Sequence, residues 1–120
     1  MKRRILIVED EPDIRESLQE IFESEGYLIT TASNGKEALE CLKTALPPNL
    51  ILLDLMMPTM NGEEFVAEQR LNVDFAKIPV LLMSADNSTE KKAIQMGVNG
   101  HVRKPLELED LLTMVNRYCT

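Results

Sequence analysis

A chain of 120 residues, 44% hydrophobic and 28% charged, is long enough to form one domain, 1–120, with its own core, and this composition excludes a disordered segment. The net charge of -7, with Lys2, Arg3 and Arg4 as the only basic run, excludes a direct nucleic-acid footprint. No apolar stretch approaches the roughly 18 residues of a membrane span, and acidic residues from Glu9 onward leave no signal-peptide block, so a cytoplasmic chain without membrane contact is expected.

The first apolar run, Ile5 to Val8, predicts a strand. Ile14, Leu18, Ile21 and Phe22 then share one face of a helix that Gly26 ends. Leu28 to Thr31 predicts the second strand. Asn34-Gly35 precedes a helix with the stripe Ala38, Leu39, Leu42, Ala45 and Leu46, and Pro47-Pro48 follows it. Leu50 to Leu53 and Val80 to Met83 predict the third and fourth strands, with helices over 62–72 and 87–96 after them. Asn87 and Glu90 have the spacing of a capping box for the latter, which Gly97 closes. A weaker run around Val102 and the stripe Leu108, Leu111, Leu112, Val115 and Tyr118 complete a fifth strand and helix.

Strand and helix alternate five times, which argues for right-handed crossovers and a parallel sheet. The first, third and fourth runs are apolar throughout, as strands covered on both faces require, and should form the centre. Cys41 and Cys119 belong to no metal or redox pattern and are expected as reduced thiols filling helix positions.

In such a sheet, ligands bind beyond the carboxyl ends of the strands. The residues there are Glu9, Asp10 and Glu11 after the first strand, Asp54 after the third, Ser84 after the fourth, and Lys104-Pro105 after the fifth. Crowded carboxylates hold protons, stay well solvated or share a cation, and hard oxygen ligands suit Mg²⁺. A fixed ammonium beside them, with a hydroxyl opposite, suits a phosphoryl group.

Four motifs stand in order at these ends: VEDEP from Val8, DLMMPTMNG from Asp54, SAD from Ser84 and KP from Lys104. With them the chain resembles the receiver domain of two-component response regulators, in its single-domain chemotaxis-regulator form, from about Arg4 to Tyr118. The resemblance implies a doubly wound (βα)5 α/β fold, a flavodoxin-like five-stranded sheet in the order 2-1-3-4-5. It implies that Asp54 accepts a phosphoryl group from a histidine kinase or histidine phosphotransfer protein. Mg²⁺ would be held by Glu9, Asp10, Asp54 and the backbone carbonyl of Met56. Lys104 would pair with phosphoryl oxygens, Pro105 would follow a cis peptide bond, and Ser84 would donate its hydroxyl when the loop after the fourth strand moves inward. Asp86 and Met56 would border the path of the attacking water and tune the phosphoryl lifetime. The contact face for a downstream partner or a fused output domain, neither within this chain, would be the fourth helix, fifth strand and fifth helix, including Lys91, Lys92, Arg103 and Asp110. Such a chain promotes only its own phosphorylation and dephosphorylation.

Two positions depart from the commonest family pattern. Glu9 replaces an Asp, keeping the charge on a longer arm. His101 stands where an aromatic residue commonly turns inward, and is either a half-buried structural ring or a smaller, ionisable switch group. Met57 and Met60 read as packing, and Glu63 and Glu64 as a solvated helix start. A flavin site is opposed by the acidic first loop, and an aspartyl phosphatase by Met56 where a second Asp is usual. A receiver-like binding module that acts without phosphorylation is the alternative; all of Asp10, Asp54, Ser84 and Lys104 being present argues against it.

Overall fold

The computed structural model describes residues 2–119. The elements are β1 (Arg4–Val8), α1 (Pro12–Ser24), β2 (Leu28–Ala32), α2 (Gly35–Thr44), β3 (Leu50–Asp54), α3 (Gly62–Leu71), β4 (Val80–Ser84), α4 (Thr89–Met96), β5 (Gly100–Arg103) and α5 (Leu108–Tyr118). All strand pairs are parallel, in the order β2-β1-β3-β4-β5, the expected doubly wound α/β arrangement.

Alternation along each central strand divides the core into two layers, because successive side chains leave opposite faces of a sheet. Leu6, Val8, Ile51, Leu53 and Leu82 pack with Ala38, Leu42, Phe65 and Ala93, so α2, α3 and α4 cover one face. Ile5, Ile7, Leu52, Leu81 and Met83 pack with Leu18, Phe22, Leu111 and Val115, so α1 and α5 cover the other. β3 and β4 are buried along their whole length and β1 nearly so, whereas β2 and β5 lie at the edges and are only partly covered. The expected sheet centre is therefore the observed one.

The expected capping box at Asn87 is absent. Asp86 accepts hydrogen bonds from the backbone N–H and hydroxyl of Ser88, both at 2.8 Å, and this Asx turn delays the start of α4 to Thr89. Asn87 is left outside the helix and accepts instead from Arg103 at 2.7 Å. A capping box does exist at α3, where Asn61 accepts from the Glu64 N–H and the Glu64 carboxylate accepts from the Asn61 N–H. Helix α2 stops at Thr44, so Leu46 leaves the predicted stripe and is exposed beside Pro47, which disfavours helical backbone before it. Leu108 is also exposed, at the start of α5. Both cysteines are free: Cys41 is half-buried in α2, and Cys119 is buried just past the end of α5.

Candidate functional site at the carboxyl edge of the sheet

The apolar runs deliver polar residues to one edge because each ends within a residue of the same level. β1 and β3 are in register from Ile5 with Leu50 to Val8 with Leu53, which sets Glu9 beside Asp54. β4 and β5 pair Ser84 with Arg103, which carries Lys104 to the same level. The Lys104 N–H donates to the Ser84 carbonyl at 2.9 Å, and the Lys104–Pro105 peptide bond is cis.

The carboxylate oxygens of Glu9, Asp10 and Asp54 lie within 4.8 Å of one another. Glu9 is fully buried and Asp54 is 5% exposed. Lys104 Nζ is 2.7 Å from Glu9 Oε1 and 3.4 Å from Asp54 Oδ1, so one ammonium faces both buried carboxylates. Burial and the charge of Glu9 push the Asp54 carboxyl up to about 7, against the lowering influence of Lys104. Burial works against the Lys104 ammonium, yet its hydrogen bond to Glu9 and the charges of Asp54 and Glu9 outweigh it and raise its pKa. With all three carboxyls ionised, one ammonium leaves two of their negative charges uncompensated. That donor set fits a hard divalent cation.

The loop from Asp54 to α3 is tightly stitched. The Gly62 N–H donates to the Leu55 carbonyl at 2.9 Å, and a Cβ at Gly62 would lie 2.8 Å from the Asp54 carbonyl oxygen and 3.0 Å from Leu55 Cα. Glycine is needed there for α3 to back directly onto the end of β3. Thr59 adopts φ +68°, a costly conformation for a β-branched residue, spanned by the Met60 N–H to Pro58 carbonyl bond of 2.7 Å. Met57 and Met60 pack against the core layer under α2 and α3, whereas the Met56 side chain is 66% exposed.

Ser84 is buried, and its hydroxyl accepts from the Asp86 N–H at 3.0 Å. The Asp86 carboxyl is held below its ordinary range by the backbone N–H and the hydroxyl of Ser88. Lys92 lies 3.9 Å from Asp86 and 3.6 Å from Glu63, tying the start of α4 to the start of α3. His101 is half-buried on β5 and lines a groove of about 590 Å³ between β5 and α5. Arg103, Lys104, Glu107, Asp110 and Met114 also line that groove, so it abuts the acidic site through Lys104.

Arg15 was not singled out by its sequence position, yet its Nη1 donates to the Glu9 carbonyl at 2.9 Å and reaches the Asp10 carbonyl at 3.5 Å. No spacing rule signals that contact. The box of Asn61 and Glu64, by contrast, has the same spacing that Asn87 and Glu90 offered.

This fold is that of a receiver. The sequence matches the response regulator receiver domain family over residues 5–116, and the chain belongs to that family. It is 38% identical over 113 residues to hybrid signal transduction histidine kinase D of Dictyostelium discoideum, covering 92% of this chain and 7% of that protein. It is 36% identical over 121 residues to the transcriptional regulatory protein CrdR of Helicobacter pylori, covering 98% of this chain and 55% of that one. The chain thus spans about half, or far less, of the length of these relatives. Among solved structures, the chemotaxis response regulator CheY4 of Vibrio cholerae superposes with a TM-score of 0.90 at 32% identity, covering 98% of this chain and 99% of that one. The protein is accordingly a receiver domain of two-component signalling, a phosphoacceptor family supplied by histidine kinases. Among the described residues, no helix is long and apolar enough to cross a membrane.

Proposed function

We propose that Asp54 is the phosphoryl acceptor, charged by a phosphohistidine on a histidine kinase or histidine phosphotransfer protein. The observation that carries this reading is the gathering of the Glu9, Asp10 and Asp54 carboxylates within 4.8 Å of one another, with the ammonium of Lys104 against Glu9 and Asp54. An Asp54 oxygen attacks phosphorus in line with the phosphorus–nitrogen bond. The new P–O bond forms as the P–N bond breaks, and the electron pair leaves with the donor's imidazole, whose other ring nitrogen already carries a proton, so that the ring departs as neutral imidazole. The product is an acyl phosphate on Asp54. Only the ionised carboxylate attacks, so the raised pKa of Asp54 makes compensating charge a requirement of the reaction.

The carboxylates of Glu9, directly or through water, of Asp10 and of Asp54, together with the Met56 backbone carbonyl, would hold Mg²⁺. When bound, the ion supplies the divalent charge that keeps Asp54 ionised and offsets the incoming phosphoryl oxygens. Lys104 is drawn from Glu9 to those oxygens. The Ser84 hydroxyl exchanges its bond with the Asp86 N–H for one to the phosphoryl group, and the β4–α4 loop follows. His101 responds from β5, and the altered face of α4, β5 and α5 engages a downstream protein or a fused output domain. The phosphoryl group is a new doubly charged acceptor that selects one of two loop arrangements. Met56 and Asp86 border the water that later hydrolyses the adduct. The chain acts on itself alone, in the cytoplasm.

The test is intact mass after incubation with acetyl phosphate, with and without Mg²⁺, on the wild type and on Asp54→Asn. A single Mg²⁺-dependent, base-labile adduct on the wild type alone is expected. An equal adduct on Asp54→Asn would move the acceptor elsewhere.

A further inference from the structure

We infer that Arg15 is a positioning residue for the ion site: it clamps the backbone of Glu9 and Asp10 so that their carboxylates face Asp54. The inference rests on the reading above that these three carboxylates hold Mg²⁺. Helix α1 begins at Pro12 after an N-cap, Glu11, whose side chain makes no capping bond. The loop between β1 and α1 therefore lacks the side-chain cap that would ordinarily fix its geometry. It is held instead from inside the helix. Arg15 makes the first helical bond, its N–H donating to the Glu11 carbonyl at 2.9 Å, and its side chain folds back over that turn. Nη1 donates to the Glu9 carbonyl at 2.9 Å and, more weakly, to the Asp10 carbonyl at 3.5 Å. On the far side of the same peptide units, Glu9 Oε2 accepts from the Glu11 N–H at 3.3 Å and Glu9 Oε1 accepts from Lys104 at 2.7 Å.

A cation in the first turns of a helix opposes the macrodipole. The carbonyl contacts offset that cost, and the planar guanidinium, with several donors in one fork, can span two carbonyls where an ammonium presents a point charge. Two effects then compete. Loss of the clamp frees the loop and weakens the ion site, while loss of the positive charge removes a repulsion that would strengthen it. The contact falls on main-chain oxygens of Glu9 and Asp10, not on the carboxylates that would hold the ion. The clamp therefore dominates.

The experiment is calorimetric titration of Mg²⁺ into the full chain as wild type, Arg15→Ala, Arg15→Lys and Arg70→Ala. Arg70 makes the same kind of bond, to the Gly97 carbonyl at 2.8 Å, on a different part of the fold and serves as the structural control. Arg15→Ala is expected to weaken Mg²⁺ by about tenfold, the scale of losing a residue that orients metal ligands. Arg15→Lys, which keeps the charge and loses the fork, recovers only part of this, and Arg70→Ala binds as the wild type does. With acetyl phosphate, Arg15→Ala raises the Mg²⁺ concentration for half-maximal phosphorylation and leaves the rate at saturating Mg²⁺ unchanged. Unchanged or tighter Mg²⁺ binding by Arg15→Ala, or full recovery by Arg15→Lys, would overturn the clamp while leaving the ion site standing. A wild type that takes up no Mg²⁺ would overturn the ion site and the clamp together.

Discussion

Replacing Asp54 by Asn stabilises the metal-free protein above neutral pH even as it removes the phosphoryl acceptor. Asp54 is 5% exposed, and its cationic neighbour Lys104, at 3.4 Å, is already committed to Glu9 at 2.7 Å. Its carboxyl is pushed from 3.8 to about 7. An acid with a raised folded-state pKa binds a proton that the unfolded chain has lost, so stability falls as pH rises between those two values and is level above the upper one. The whole shift corresponds to about 4 kcal/mol, and sharing of Lys104 among the carboxylates with local relaxation reduces this to roughly 2 kcal/mol. In a domain of this size that is about 8 °C in Tm. Urea unfolding of both proteins in a chelator, at about pH 8 and about pH 5, measures the gap. Asp54→Asn should lead by roughly 2 kcal/mol at the higher pH and by less than half of that at the lower, and Mg²⁺ should raise the wild type toward the variant. Equal stability at both pH values, or a wild type that gains stability as pH rises through this window, would refute the crowded-carboxylate reasoning.

Lys104→Met leaves the fully buried Glu9 without its partner and should cost about 3 kcal/mol, most of it recovered when Glu9→Gln is added, as a double-mutant cycle in urea would measure. Gly62→Ala drives a methyl group against the Asp54 carbonyl and should cost about 1–3 kcal/mol and slow phosphorylation by acetyl phosphate. Asn61→Ala removes one side of the α3 capping box and should cost about 1 kcal/mol in thermal unfolding, with the phosphorylation rate unchanged.

The fold was legible because its physics is written in local runs. Leu50 to Leu53 and Val80 to Met83 have no polar position to show to solvent, and both proved to be buried throughout. Asp54, Ser84 and Lys104 could be placed at one edge because each follows such a run directly. What was not legible depends on how distant parts meet. Nothing in the sequence states that Glu9, 95 positions from Lys104, takes the shorter of its two carboxylate contacts, or that Glu9 is the most buried of the acidic group. The start of α4 was misplaced because Asn87 offered a plausible cap while Asp86, one residue earlier, captured Ser88 first. Arg15 was hidden for the same reason as Glu9: its partners are carbonyl groups, which every residue carries.

The most direct test of the central claim is to locate the phosphoryl group itself. After phosphorylation with acetyl phosphate and Mg²⁺, borohydride reduces an acyl phosphate to the corresponding alcohol, and peptide mass mapping then identifies the residue that carried it. Homoserine at position 54 alone is the predicted result. Reduction at Glu9 or Asp10, or at no residue in a folded and Mg²⁺-bound protein, would contradict the assignment of Asp54 as acceptor.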